Sequence, residues 1–238
     1  MRWGDVGAVL FDLDGVLTPT AEVHMRAWQK MFDAYFAEHQ ITPGYSDADY
    51  FAYVDGKPRY DGVRAALASR GVLLPEGSPA DPPGAPTICG LGNTKDAAVN
   101  RLLATEGVVP YPGSIALLDH LAARAVPVAV VSSSRNARTV LAAAGLADRF
   151  AVVVDGEVSK AEGLAGKPSP ATFIRAATAL GVLPARAVVV EDAVSGVAAG
   201  RAGGFGLVVG VDRGAGAAVL LDAGADLVVQ DLGELVER

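Results

Sequence analysis

The chain has 238 residues, 51% of them hydrophobic and 6% aromatic, and a formal charge of −7. That length allows one large domain or a core with a smaller accessory domain, and an acidic chain without a long basic run argues against nucleic-acid binding. The single cysteine, Cys89, excludes an intrachain disulfide, and no stretch is apolar for long enough to span a bilayer as a helix, so a cytoplasmic protein with no membrane or nucleic-acid partner is expected.

Residues 6–11 form a short apolar run that ends at Asp12 and reads as a buried strand. Acidic residues flank and interrupt this N-terminal run, which argues against a signal peptide. Residues 20–36 switch to helical spacing: Val23, Ala27, Met31 and Ala34 lie three or four apart, and Trp28, Phe32 and Tyr35 widen the stripe. Residues 40–58 carry Pro43, Gly44, Gly56 and Pro58 and read as irregular. A helix is expected over 61–70, ended by Gly71. A surface loop is expected over 74–86, which hold five prolines and two glycines, and another helix over 95–106.

Beyond Tyr111 strand and helix alternate. Helices are expected over 113–124, 135–144, 169–180 and 194–202, and strands over 126–131, 152–154, 187–190, 205–209 and 227–229. Repeated β-α-β units predict an α/β fold, a Rossmann-like parallel sheet with right-handed crossovers. The mostly helical stretch after the first strand breaks this rhythm. The expected division is therefore a core domain of 1–19 and 109–238 with an inserted helical domain of 20–108.

Open parallel sheets bind ligands beyond the carboxyl ends of their strands. That edge collects Asp12-Leu13-Asp14-Gly15, Ser132-Ser133-Ser134, Lys167 ahead of Pro168-Ser169-Pro170, and Glu191-Asp192. Each has a use in phosphoryl transfer, which needs in-line geometry and positive charge near the equatorial oxygens. Carboxylates at two strand ends suit Mg2+, a cation that prefers oxygen ligands. A carboxylate attacking a phosphate needs that counter-charge, because two unit charges about 4 Å apart at an effective dielectric of about 20 repel by roughly 4 kcal/mol. Lys167 supplies a second positive charge, and a serine hydroxyl with the N–H groups of a helix start can cradle the phosphate. Of two aspartates so close together, one can act as nucleophile while the other moves a proton. Singly, these motifs read as a turn, an N-cap pair or a loop; together and in this order they point to phosphoryl transfer with Asp12 as nucleophile.

FDLDGVLTPT, VSSSRN, GKPSPATF and EDAVSGVAAG resemble, over essentially the whole chain, the four motifs of the haloacid dehalogenase superfamily. The insertion after the first motif resembles the branch that carries a helical cap. The resemblance implies that Asp12 becomes an aspartyl-phosphate. It also implies that Asp14 is the general acid/base and reaches Mg2+ through its backbone carbonyl. Ser132 and Lys167 would bind the transferring phosphate, and Glu191 and Asp192 would complete the metal site with Asp12.

Thr20, His24 and Trp28 resemble the first cap helix of the β-phosphoglucomutases, a branch of that superfamily. The segment with Gly56 and Arg59 resembles a cap loop whose arginine binds the non-transferring phosphate, and Lys95 in GLGNTKDAAV aligns with a cap lysine. Ser133, Ser134, Arg135 and Asn136 match the region that contacts the same phosphate or the sugar. By this resemblance His24 couples substrate binding to closure and orients Asp14, while Trp28 has a packing role. Two anion sites suit a mutase that handles a bisphosphate; arginine can hold phosphate bidentately, and a closed cap keeps water from the aspartyl-phosphate. The implied protein is a monomer that converts β-glucose 1-phosphate to glucose 6-phosphate with Mg2+. The departures are Pro19, where such mutases often carry an acidic residue, Asp96, where they often have Asn, and a long loop at 74–86. A phosphatase of a small sugar phosphate is therefore the runner-up. A non-catalytic sugar-phosphate-binding module would show a broken motif, and none is broken.

Overall fold

The computed structural model describes Trp3 and residues 6–236. Six strands form one parallel sheet: β1 (Ala8–Phe11), β2 (Val128–Val131), β3 (Val152–Val154), β4 (Ala187–Glu191), β5 (Leu207–Val211) and β6 (Leu227–Val229). Their order is β3-β2-β1-β4-β5-β6. These runs are nearly all valine, alanine and leucine, and β1 and β4 are buried along their whole length. Burial on both faces is what lets a parallel strand read as a continuous apolar run. β1 is central, with Phe11 paired to Val130 on one side and to Val190 on the other. The chain winds outward from β1 to β2 and β3, then returns to place β4 on the other side of β1. The residues that follow β1, β2 and β4 therefore gather at a topological switch point, where such sheets bind ligands.

Backbone contacts divide the chain into two units, Met1–Thr20 with Val108–Arg238, and Ala21–Gly107. The second is helical: α1 (Thr20–Glu38, whose first residue falls in the sheet unit), the single turn α2 (Asp47–Asp49), α3 (Arg59–Ala68) and α4 (Ile88–Glu106). Its core is aromatic. Trp28 stacks on Phe32 at 5.5 Å, and Phe32 stacks on Tyr45 at 4.7 Å between ring centroids. Burying one side chain of that size stabilises a fold by roughly 1.5–3 kcal/mol.

The sheet unit adds α5 (Pro112–Ala122), α6 (Ala137–Ala143), α7 (Gly156–Glu162), α8 (Ala171–Ala179), α9 (Val194–Ala202) and α10 (Ala217–Asp222). Small residues let these helices lie close on the sheet: a Cβ at Gly200 of α9 would meet Val208 at 3.1 Å and Val189 at 3.2 Å. Among the described residues no helix is long and apolar enough to cross a membrane.

Several elements depart from the sequence expectation. Within 40–58, a capping box of Ser46 and Asp49 starts α2, and a π-helical turn follows over Tyr50–Val54. Tyr50 and Val54 are buried in the aromatic core, so packing selects the turn. Helix α4 begins seven residues before 95, capped by Thr87, whose hydroxyl accepts from the Gly90 N–H at 2.9 Å. Gly90 and Gly92 weaken the local helical signal, and burial of Ile88 and Leu91 against the aromatic core overrides it. Helix α7, which the sequence reading did not include, is capped by Asp155, whose carboxylate accepts from the Glu157 and Val158 N–H groups. Helix α10 was likewise not expected. The loop 74–86 has no helix or strand, yet it is tied to α4. The Thr87 hydroxyl donates to Asp81 at 2.6 Å, and the Asn93 amide donates to the carbonyls of Pro79 and Asp81.

Candidate active site

In the sheet unit, Asp12 directly follows β1, and its N–H donates to the Val190 carbonyl at 2.9 Å. Lys167 reaches in from the loop before α8. Its buried ammonium bonds to the carboxylates of Asp12 and Glu191 and to the Val131 carbonyl at 3.3 Å, and it sits 5.1 Å from the Phe173 ring centroid. Burial alone would lower the Lys167 pKa; Asp12 and Glu191 more than reverse this and hold it above the ordinary lysine value. Burial raises the Glu191 pKa, and Lys167 offsets that only in part. Glu191 also accepts from the Ala193 N–H at 3.0 Å. Gly196 in the first turn of α9 makes room for it, since a Cβ there would stand 1.8 Å from Glu191 Oε1.

Asp12, Glu191 and Asp192, all buried, each place a carboxylate oxygen within 4.8 Å of the others. With the three ionised, Lys167 compensates one negative charge and leaves two, which a divalent cation balances. The donors are all oxygen, which fits Mg2+. Gly15 packs directly on Asp192: a Cβ at Gly15 would lie 1.8 Å from Asp192 Oδ2, and its φ of +83° is left-handed. Glycine is thus required there for space and for backbone conformation.

The Asp14 carboxylate lies outside that trio. It accepts from the Thr20 hydroxyl, which is itself 2.8 Å from the Thr18 hydroxyl. Thr20, expected against the substrate, contacts the Asp14 carboxylate. The buried Ser132 donates its N–H to the Val154 carbonyl at 3.0 Å, and its hydroxyl accepts from the Ser134 N–H at 3.0 Å. The Ser134 hydroxyl accepts in turn from the Asn136 N–H at 3.1 Å. The serine run, with Ser133 between these two, therefore forms successive side-chain-to-backbone turns. Arg135, expected to assist the second phosphate, forms an ion pair with Glu157 of α7.

In the helical unit, the residues singled out by sequence make separate contacts. The Lys95 ammonium is 2.6 Å from His24 Nδ1 and 4.9 Å from the Trp28 ring centroid. An ammonium can only donate, so the ring accepts at Nδ1 and carries its proton at Nε2. Burial, then the Lys95 charge, push the His24 pKa well below its ordinary value. Arg59 is the first residue of α3 and lies 2.7 Å from Asp96 of α4. Gly56, with φ +67°, lies in the turn that leads to it.

Sequence reasoning missed Gly196, Glu157 and the pairing of Asp96 with Arg59. It also missed Arg213, whose Nε donates to the Gly15 carbonyl at 2.8 Å. The alternation of strand and helix could have placed Gly196 in the first turn after Glu191-Asp192. No local signal marks Arg213.

The chain matches the haloacid dehalogenase-like hydrolase family over residues 6–204. A β-phosphoglucomutase of Mycobacterium tuberculosis is 52% identical over 97% of this chain and 92% of the relative. Hexitol phosphatase A of Escherichia coli is 32% identical over 82% of this chain and 78% of the relative. The crystal structure of a β-phosphoglucomutase from Clostridium difficile shares the fold, with a TM-score of 0.76 at 24% identity, covering 97% of this chain and 93% of that one. With its aspartates, lysine and serine brought to one sheet edge and these relatives alongside, the chain belongs to the haloacid dehalogenase-like hydrolase family.

Proposed function

We propose that this enzyme is a Mg2+-dependent β-phosphoglucomutase that works through a phosphorylated Asp12. The observation that carries this reading is the 52% identity to a β-phosphoglucomutase across nearly the full length of both chains. The local geometry supports it, with a carboxylate nucleophile beside a buried lysine in the sheet unit and, in the helical unit, an arginine paired with Asp96 and a lysine beside a neutral histidine.

In this reading Asp12 attacks phosphorus, the bond from phosphorus to the sugar oxygen breaks, and Asp14 gives its proton to the departing oxygen. In the reverse sense Asp14 takes a proton from the acceptor hydroxyl as that oxygen attacks the aspartyl-phosphate. Thr20 orients Asp14 for both steps. Lys167 neutralises charge beside Asp12, and Ser132 offers its hydroxyl to a phosphate oxygen. Asp12, Glu191 and Asp192, with the Asp14 carbonyl, would hold Mg2+. The cation supplies the positive charge that lets two anions meet. Arg59 takes the phosphate that is not being transferred. A bisphosphate presents each end in turn, so two anion-binding groups are the minimum a mutase needs.

The test is a paired assay. With β-glucose 1-phosphate, a bisphosphate primer and Mg2+, glucose 6-phosphate should form faster than free phosphate. Release of inorganic phosphate without glucose 6-phosphate would favour hydrolysis of a small sugar phosphate, the reading supported by the likeness to hexitol phosphatase A.

A further inference from the structure

Arg59 leaves the start of α3 and runs alongside α4. A Cβ at Gly92 would stand 2.7 Å from the Tyr60 ring and 3.6 Å from Arg59 Cδ, so the bare backbone at Gly92 makes room for the Tyr60 ring, and Arg59 lies beside it at ordinary contact distance from α4. One turn further along α4, Arg59 Nη1 comes to rest 2.7 Å from Asp96 Oδ2, and the two side chains are only 14% and 28% exposed. The contact is one of charge and not of alignment. Arg59 Nε and Nη1 are both buried, and neither makes a well-directed hydrogen bond. A buried guanidinium with undirected donors is poised for an acceptor of better geometry. The Asp96 carboxylate fills the charge requirement but not the directional one.

We propose that Asp96 is a resident counter-ion that competes with the ligand's phosphate for Arg59. It neutralises the arginine when no ligand is bound and is displaced by a phosphate dianion. This rests on the assignment of Arg59 to the non-transferring phosphate made above. A ligand that brings one negative charge merely exchanges with Asp96. A dianion brings a second charge and oxygens that can meet more than one donor, and so wins the exchange. Asp96 thereby sets how strongly charged the far end of the substrate must be. A neutral sugar end has no means of releasing Arg59.

The experiment is a binding titration of the full chain, in Mg2+, carrying Asp12→Asn so that the ligand is not turned over. The probe is glucose 1,6-bisphosphate. Asp96→Asn in this background keeps the side-chain size and removes the charge, and is expected to tighten binding about tenfold. Adding Arg59→Gln to Asp96→Asn is expected to abolish that gain. Asp96→Ser serves the same purpose if the asparagine variant does not fold. Unchanged or weaker binding by the folded Asp96 variants, while Arg59→Gln alone weakens binding, overturns the competition and leaves Arg59 as the phosphate ligand. Unchanged binding by Arg59→Gln alone overturns the assignment of Arg59 itself, and the competition with it.

Discussion

Arg213 Nε donates to the carbonyl oxygen of Gly15 at 2.8 Å, joining residues 198 positions apart. The guanidinium carbon stands 3.9 Å from the Tyr111 ring centroid, and Nη1 donates to the Gln230 carbonyl at 2.9 Å. The loop after β5 thus holds the turn that carries Asp12 and Asp14 and that packs on Asp192 through Gly15. Hydrogen bonds from a charged group are worth about 1.5–3 kcal/mol. Arg213→Met is expected to lower the melting temperature and to reduce kcat about tenfold with little change in KM. Arg213→Lys should recover only part of this, because an ammonium cannot make the fork and the stack together. An unaltered kcat in a destabilised Arg213→Met would limit the residue to a packing role.

Lys167 is the cation between two buried carboxylates. Removing one partner of a buried pair typically destabilises by about 3–5 kcal/mol. Lys167→Met should therefore unfold at lower denaturant than the wild type and lose activity. Glu191 already has a raised pKa from burial, and without Lys167 it is raised further. A carboxyl group whose folded pKa exceeds its unfolded one contributes stability at low pH that is lost as pH rises. The deficit of Lys167→Met relative to the wild type should thus widen over the pH window above about 7, where Glu191 of the wild type ionises and that of the variant does not. Paired urea melts across that window check it.

Mg2+ should raise the melting temperature of the wild-type protein, because a ligand that binds only the folded state stabilises it in proportion to the logarithm of its excess over Kd. Asp192→Asn should lose most of that shift while keeping the melting temperature measured with chelator within a few degrees. Equal Mg2+ shifts in the two proteins would remove Asp192 from the proposed metal site.

His24 is neutral because burial and the Lys95 charge depress its pKa below 6.5. The unfolded chain takes up a proton near that value while the folded chain does not. The stability from the neutral ring is therefore full above the unfolded pKa and declines as pH falls below it. Wild-type stability should fall between about pH 6.5 and pH 5, and His24→Gln should remove that part of the slope. Calorimetric melts of both proteins across this interval are the measurement; identical slopes would mean that His24 titrates as an exposed histidine does.

Gly196→Ala would push a Cβ into Glu191. Overpacking of this kind costs about 1–3 kcal/mol, and here it also displaces a group that holds Lys167. Activity should drop more than stability does, which rate measurements alongside a thermal melt would separate.

Local pattern was enough for the core of this protein. The valine-rich runs ending in Asp12-Leu13-Asp14 and Glu191-Asp192 announce buried parallel strands with acidic residues at their carboxyl ends, and topology places those ends side by side. The same patterning failed where a segment's own propensity is weak. Gly90 and Gly92 hid the first two turns of α4, and the aromatic core drew Tyr50–Val54 into a helical turn that the residues alone do not suggest.

Which chemistry the chain carries was determined by the sequence itself, because the identity and order of Asp12, Asp14, Ser132, Lys167, Glu191 and Asp192 survive any detail of packing. Which partner each charged group takes was decided only by the tertiary structure. Arg135 pairs with Glu157, Arg59 with Asp96, Thr20 with Asp14 and Arg213 with Gly15. The physical reason is range. Secondary structure follows from neighbours a few residues away, whereas an ion pair or a hydrogen bond forms between whichever groups the folded backbone brings within about 3 Å.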